Sequence, residues 1–138
     1  MTQKSLILVD IPEGGLVETS FLQTEGHPAM ICHGPTETVP CPLVSGGGCP
    51  MAEAAHGILF QLDLDRPQHR AILERYKKVI REDVPIRVVT TDEKARQYAS
   101  LLAGVQVWTH QPGIGDLDGF VAEVEAADRF ESREIIPN

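Results

Sequence analysis

Short apolar runs alternate with amphipathic stretches along most of the chain, and this alternation restricts the fold more than any other feature. Five runs have the length and composition of strands: Ser5–Asp10, Ala29–Cys32, Gly57–Asp63, Pro85–Thr91 and Val105–Thr109. Helical patterns occur between or after them: Leu16–Gly26, Gln68–Glu82, Asp92–Leu102 and Asp116–Phe130. Because parallel neighbours need crossover connections, apolar strands separated by helices predict a parallel sheet.

Right-handed crossovers then favour a doubly wound α/β fold with five parallel strands in the order 2-1-3-4-5. A chain of 138 residues suits one domain, so we expect residues 1–138 to share one core. One segment, Gly34–Ala55, lacks either periodicity and contains four prolines and four glycines in 22 positions. We therefore expect an irregular loop there, with at most a short helix over Met51–His56 after Pro50.

The charge of the chain excludes several classes of partner. Acidic residues outnumber basic ones by 20 to 12, giving a net charge of −8. No basic stripe is present to neutralise phosphates, so we predict no nucleic-acid partner. The same charge disfavours an anionic membrane surface, and no apolar run approaches the roughly 20 residues needed to span a bilayer. The first residues lack the features of a signal peptide, and we expect a cytoplasmic protein.

Polar side chains follow several of the predicted strands. Asp10 ends the first strand, Asp63 the third and Thr90 lies at the end of the fourth, while Gln111 follows the fifth. The carboxyl ends of parallel strands meet at one edge of a sheet, where two carboxylates can bind Mg²⁺ or one can attack a phosphoryl donor. Alternatively, Asp10 and Asp63 have structural roles, such as capping a helix or binding backbone N–H groups.

These strand-end residues resemble those of the receiver domains of two-component response regulators, and the resemblance extends over almost the whole chain. In that family a phosphoacceptor aspartate ends strand three with a proline four residues later, as Asp63 and Pro67 do here. Thr90 matches the family's Ser/Thr after strand four, and Asp10 matches one acid of the pair after strand one. The resemblance implies a flavodoxin- or receiver-like fold and makes Asp63 the candidate phosphoacceptor.

Two positions depart from the family pattern. Gln111-Pro112 stands where receivers have Lys-Pro, and Asp10 lies between Val9 and Ile11 where they have two adjacent acids. Loss of the lysine removes a cation that binds the phosphoryl group, and loss of an acid weakens Mg²⁺ binding. The resemblance therefore indicates a pseudo-receiver that is poorly phosphorylated at Asp63.

Three cysteines, all between positions 32 and 49, form a second candidate site. Cys32, Cys41 and Cys49 have the spacing C-x₈-C-x₇-C, which matches none of the close-paired zinc patterns. With His33 or His56 they could bind Zn²⁺ or an iron–sulfur cluster, and the two Cys-Pro dipeptides also allow thiolate ligation of haem iron. A reversible disulfide between Cys41 and Cys49 is a further interpretation. In the simplest one, Cys32 is a small buried apolar residue and the other two are incidental.

We therefore predict a stand-alone, non-enzymatic signalling module of the receiver type, without an attached output domain. The resemblance implies contact with another protein, or with a second copy, through the face formed by helix four, strand five and helix five. In this sequence that face comprises Asp92–Leu102, Val105–Thr109 and Asp116–Phe130. One alternative is a redox or metal sensor that uses Cys32, Cys41 and Cys49 on the same fold. Another is a small enzyme working at the crevice formed by the strand ends.

Overall fold

The computed structural model describes residues 6–11, 29–32, 41, 48–80 and 83–135. They form five strands: β1 (Ile7–Asp10), β2 (Ala29–Cys32), β3 (Gly57–Phe60), β4 (Ile86–Val89) and β5 (Gln106–Trp108). They also form five helices: α1 (Pro50–Ala54), α2 (Pro67–Val79), α3 (Asp92–Gln97), α4 (Ala99–Leu102) and α5 (Ile114–Ile135). None of the helices in these ranges is long and apolar enough to cross a membrane.

The five strands form one parallel sheet in the order β2-β1-β3-β4-β5, which confirms the predicted fold class and strand order. In the central register Asp10 lies opposite Cys32 on one side and Phe60 on the other. The ends of β1, β2 and β3 therefore stand at the same level. This register brings the polar residues that follow the strands to one edge of the sheet.

Two apolar layers cover the two faces of the sheet, as expected of a doubly wound fold. Alternate residues of β1 face opposite sides: Leu8 packs among residues of α1, α2 and α4, whereas Ile7 and Val9 pack against α5. The α2 side includes Phe60, and the α5 side includes Phe120. Asp10 follows Leu8 by two residues, so the alternation directs its side chain towards the α2 side.

Several element boundaries differ from the prediction. Strand β3 ends at Phe60, so Asp63 lies in the loop before α2 instead of at the end of the strand. The predicted helix Asp92–Leu102 is divided into α3 and α4 at Tyr98, whose dihedral angles of φ −109° and ψ 30° interrupt the helix. Helix α2 ends at Val79 because Ile80 adopts an extended conformation.

Two predicted segments lie wholly or mainly outside the described residues. The predicted helix Leu16–Gly26 is one of them. Of the irregular loop Gly34–Ala55, the structure describes residues 41 and 48–55, which include the short helix α1 with Pro50 in its first turn. The expectation of a short helix after Pro50 is therefore confirmed.

Candidate functional site at the carboxyl edge of the sheet

Asp63 lies at the surface, in the loop that joins β3 to α2. Its neighbours Leu62 and Leu64 are buried, at 2% and 0% exposure, so the chain turns the side chain between them outwards. The backbone N–H of Asp63 donates to Nδ1 of His69 (3.1 Å), and its Oδ1 accepts from the backbone N–H of Asp65 (3.0 Å). Pro67, four residues later, begins α2. These contacts hold the carboxylate in a defined position at the edge of the sheet.

Lys94 of α3 is the cation that faces Asp63. Its Nζ lies 2.7 Å from Oδ1 of Asp63 and 3.5 Å from Oδ2 of Asp65. Thr91 caps α3 by accepting a hydrogen bond from the Lys94 backbone N–H, which places the lysine in the first turn of the helix. The Lys94 hydrogen bond, supported by the Asp65 backbone N–H, lowers the pKa of Asp63, and the same pair raises the pKa of Lys94.

Tyr98 connects this acidic loop to the junction between α3 and α4. Its hydroxyl donates to Oδ1 of Asp65 (2.8 Å) and accepts from Arg70 (3.3 Å). The Arg70 guanidinium also lies 5.2 Å from the centre of the Tyr98 ring and donates to the carbonyl of Leu64. The loop is thus linked to α3 by Lys94 and to the end of α3 by Tyr98.

Asp10, the second predicted acid, has a very different environment. It is 0% exposed, and its Oδ2 accepts a 2.7 Å hydrogen bond from the hydroxyl of Tyr76. The Cys32 thiol also hydrogen-bonds to this carboxyl group, while Oδ1 is buried and without a hydrogen-bond partner in the described part of the chain. Burial raises the pKa of Asp10 to about 7, against the opposing effect of the two donors.

The prediction that Asp10 and Asp63 bind Mg²⁺ together does not fit this geometry. The backbones of both residues lie at the carboxyl edge, but one side chain enters the core and the other faces solvent beside Lys94. A buried carboxyl whose pKa is raised is a poor ligand for a strongly hydrated cation. Within the described residues, no three His, Cys, Asp or Glu side chains are grouped to hold a metal ion.

Thr90 and Gln111, the other predicted residues, also lie at this edge. Thr90 is half-buried at the end of β4, and its backbone N–H donates to the carbonyl of Trp108 on β5 (3.0 Å). Gln111 is exposed in the loop between β5 and α5. Asp116 anchors this loop by accepting from the Gly113 backbone N–H and contacting His110 (3.1 Å). The residue after β5 at this edge is therefore the amide Gln111, and the cation beside Asp63 is Lys94 of α3.

All three cysteines pack against the apolar layer beneath α2. Cys49 is buried, Cys32 and Cys41 are half-buried, and none of the three is joined in a disulfide. The predicted Cys41–Cys49 disulfide is therefore absent from this state. His33 lies outside the described residues, and His56 uses its Nδ1 to accept from the Leu6 backbone N–H (2.8 Å). Because these residues form no ligand cluster among those described, zinc, iron–sulfur and haem interpretations lack support.

No protein-family model and no curated protein matches this chain. Solved structures do match. An uncharacterised protein from Neptuniibacter caesariensis has a TM-score of 0.70 at 10% identity, with 100% of both chains covered. The receiver domain of nitrogen regulatory protein C has a TM-score of 0.62 at 17% identity, covering 94% of this chain and 98% of that one.

Other matches include further response regulators and one protein with an enzyme's name. The latter is described as adenylate cyclase from Rhodopirellula baltica, with a TM-score of 0.60 at 11% identity and 96% of both chains covered. At such identities the likeness concerns the fold alone. The chain has the flavodoxin-like fold found in CheY-like receiver domains.

Proposed function

We propose that this chain is a receiver-like signalling module that acts through protein–protein contacts and not through catalysis. The fold-level likeness to receiver domains supports this proposal. The observation that carries it is the ion pair between Asp63 and Lys94. It places a charged, accessible carboxylate in the β3–α2 loop and joins it directly to helix α3.

The contacts around Asp63 give the proposed module a route for its signal. Lys94 and Tyr98 both belong to the α3–α4 segment, and both contact the loop that contains Asp63 and Asp65. A change of charge at Asp63 would therefore alter the contacts of α3 and of its junction with α4. This coupling requires only local electrostatics and no bound cofactor.

The proposed docking face consists of α3, α4, β5 and α5. Strand β5 is the last strand in the sheet order, and Gln106 on it is exposed. A terminal strand and its flanking helices can accept another protein or a second copy of the chain. In this proposal the partner senses the state of Asp63 through α3 and α4.

Hydrogen exchange measured by mass spectrometry tests this coupling. Lys94→Met removes the ion pair, and we expect faster exchange in residues 92–102 with little change in α2. The pair is partly exposed, with 28% and 44% of the two side chains accessible, so it should contribute less than about 1 kcal/mol. The local effect should therefore exceed the global one.

Arg75→Met is the matched control, since Arg75 is an exposed cation on α2. It should leave exchange in residues 92–102 unchanged. Asp63→Asn should reproduce the effect of Lys94→Met, because either change removes the same ion pair. Equal exchange in the wild type and in Lys94→Met would contradict the coupling on which the proposal rests.

A further inference from the structure

The helices on the two sides of the sheet carry opposite charges. Helix α2 packs on the side that contains Phe60, whereas α5 packs on the side that contains Leu59. Four residues of α2 are basic and one is acidic: Arg70, Arg75, Lys77, Lys78 and Glu74. In α5, seven residues are acidic and two are basic. Because the sheet separates these helices, their charges can meet only between two copies of the chain.

A groove of about 530 Å³ opens at the outer surface between α2 and the α3–α4 segment. Its walls include Glu74, Lys77 and Lys78 on the α2 side, and Gln97, Tyr98 and Leu101 on the other. Lys77 connects the two walls, since its Nζ donates to the carbonyl of Leu101 at 2.6 Å. Lys78 is exposed and takes part in no ion pair among the described residues. The groove therefore combines the half-buried Tyr98 and Leu101 with a lysine that is available to an acidic ligand.

The outer side of α5 suits this groove in shape and in charge. Asp118 is exposed, and so are its small neighbours on the helix surface, Gly115, Gly119 and Ala122. At both glycines the space that a β-carbon would occupy is open. The helix can therefore approach another molecule closely at the place where it presents a carboxylate. With 22 residues, or about 33 Å, α5 is also longer than the 13 residues of α2, so it can lie along the whole α2 wall.

We propose that the groove between α2 and the α3–α4 segment binds α5 of a second copy of the chain, with Asp118 directed towards Lys78. The contact joins opposite charges, which orients the two copies and makes the association sensitive to salt. This inference rests on the proposed signalling function, because α3, α4 and α5 all belong to its docking face, and it names the partner as a second copy.

The positions of the groove and of α5 determine the form of the assembly. They lie on opposite sides of the sheet, so one copy cannot present both surfaces to the same partner. The contact is therefore head-to-tail, and every oligomer keeps one free groove and one free α5. The net charge of −8 opposes association and keeps it weak. Oligomers should thus grow with protein concentration and should not stop at a dimer.

Sedimentation velocity of the full chain at increasing protein concentration tests the proposal. At about 0.01 M salt, where charges act over about 30 Å, we expect the mean sedimentation coefficient to rise with concentration. At about 1 M salt, where this distance is about 3 Å, it should stay at the value of the monomer. Lys78→Glu and Asp118→Lys should each weaken the association by about tenfold. Since Asp118→Lys brings the net charge closer to zero, general repulsion cannot explain a loss in that variant.

The double variant Lys78→Glu/Asp118→Lys reverses both charges of the contact and keeps the net charge of the wild type. Association should therefore return. Arg75→Glu/Asp118→Lys is the matched control with the same net charge, because Arg75 is exposed on α2 and does not line the groove. It should associate as weakly as Asp118→Lys. Circular dichroism checks that each variant keeps its fold.

Three results would overturn the proposal: a wild type that stays monomeric at low salt, growth that ends at a dimer, or a double variant that associates no better than its control. The hydrogen-exchange comparison of Lys94→Met is made on the dilute monomer, so it is independent of these results. Failure of assembly alone would leave the coupling at Asp63 intact. Failure of the coupling alone would leave the contact between copies but remove its signalling role.

Discussion

Asp10 and Asp63 come from neighbouring strands of one sheet, yet their side chains experience opposite electrostatic environments. Asp10 is enclosed in the core, where burial raises its pKa to about 7. Asp63 faces solvent, where the hydrogen bond from Lys94 lowers its pKa. Asp10 therefore keeps its proton to a higher pH than an ordinary aspartate does, whereas Asp63 ionises at a lower pH.

The direction of each side chain causes this difference. Asp10 is still part of β1, so the strand alternation places it on the same side as Leu8, under α2. Asp63 lies three residues beyond the end of β3, where the chain no longer follows the alternation. Proximity of two strand ends thus does not bring their side chains together.

The largest expected effect is the change in the free energy of unfolding with pH, which should have opposite signs for Asp10 and Asp63. The pKa of Asp10 is about 7 in the folded state and 3.8 without perturbation, so the folded state retains the proton over this range. The free energy of unfolding of the wild type should therefore fall relative to Asp10→Asn as the pH rises from about 4 to 7, by roughly 4 kcal/mol in total. Urea unfolding at several pH values measures this difference.

In the same experiment, the contribution of Asp63 to the free energy of unfolding should change with pH in the opposite direction, and Asp63→Asn measures it. Because the pKa of Asp63 is lowered, its contribution is present above 3.8 and is lost as the pH falls through its folded pKa. The effect should be much smaller, since 44% of the side chain is exposed. Parallel pH profiles for the wild type and Asp10→Asn would show that Asp10 titrates normally.

Removing the hydroxyl of Tyr76 should produce the next largest effect. Tyr76→Phe leaves the buried Asp10 carboxyl without its 2.7 Å donor, and we expect a loss of about 2 kcal/mol in the free energy of unfolding. The double variant Asp10→Leu/Tyr76→Phe should be less destabilised, because it removes the buried carboxyl together with its hydroxyl donor. A double variant less stable than Tyr76→Phe would mean that packing, and not the hydrogen bond, dominates.

The fold was largely predictable because it depends on local patterns. The apolar runs that became β1 to β5 are recognisable one by one, and helices between them leave few topologies for a parallel sheet. The exact ends of the strands and helices were harder to predict from the sequence. Gly57–Asp63 looks continuous, but β3 ends at Phe60, and Tyr98 divides a periodic stretch through contacts with Asp65 and Arg70.

The site was harder to predict because its contacts join distant parts of the sequence. Lys94 is 31 residues from Asp63, and its role depends on where α3 begins after β4. Lys94 was assigned no role from the sequence; Thr91, which caps α3, is the signal that could have placed it in the first turn of a helix after β4. No local pattern shows that Tyr76 covers Asp10, since 66 residues separate them. Asp10 resembled a ligand because only its position at a strand end was known.

The smallest expected effect is phosphorylation of Asp63, which should remain close to background. Oδ1 of Asp63 is already bound by Lys94 and by the Asp65 backbone N–H, and Asp10 is turned away from the loop. Incubation with acetyl phosphate and Mg²⁺, followed by intact-mass measurement, should therefore add well under one phosphoryl group per chain. Asp63→Asn should match the wild type, and a phosphorylatable receiver domain treated in parallel shows that the donor is active. Stoichiometric labelling that disappears in Asp63→Asn would show that the exposed acid recruits a metal without Asp10, and would remove the functional contrast between the two acids.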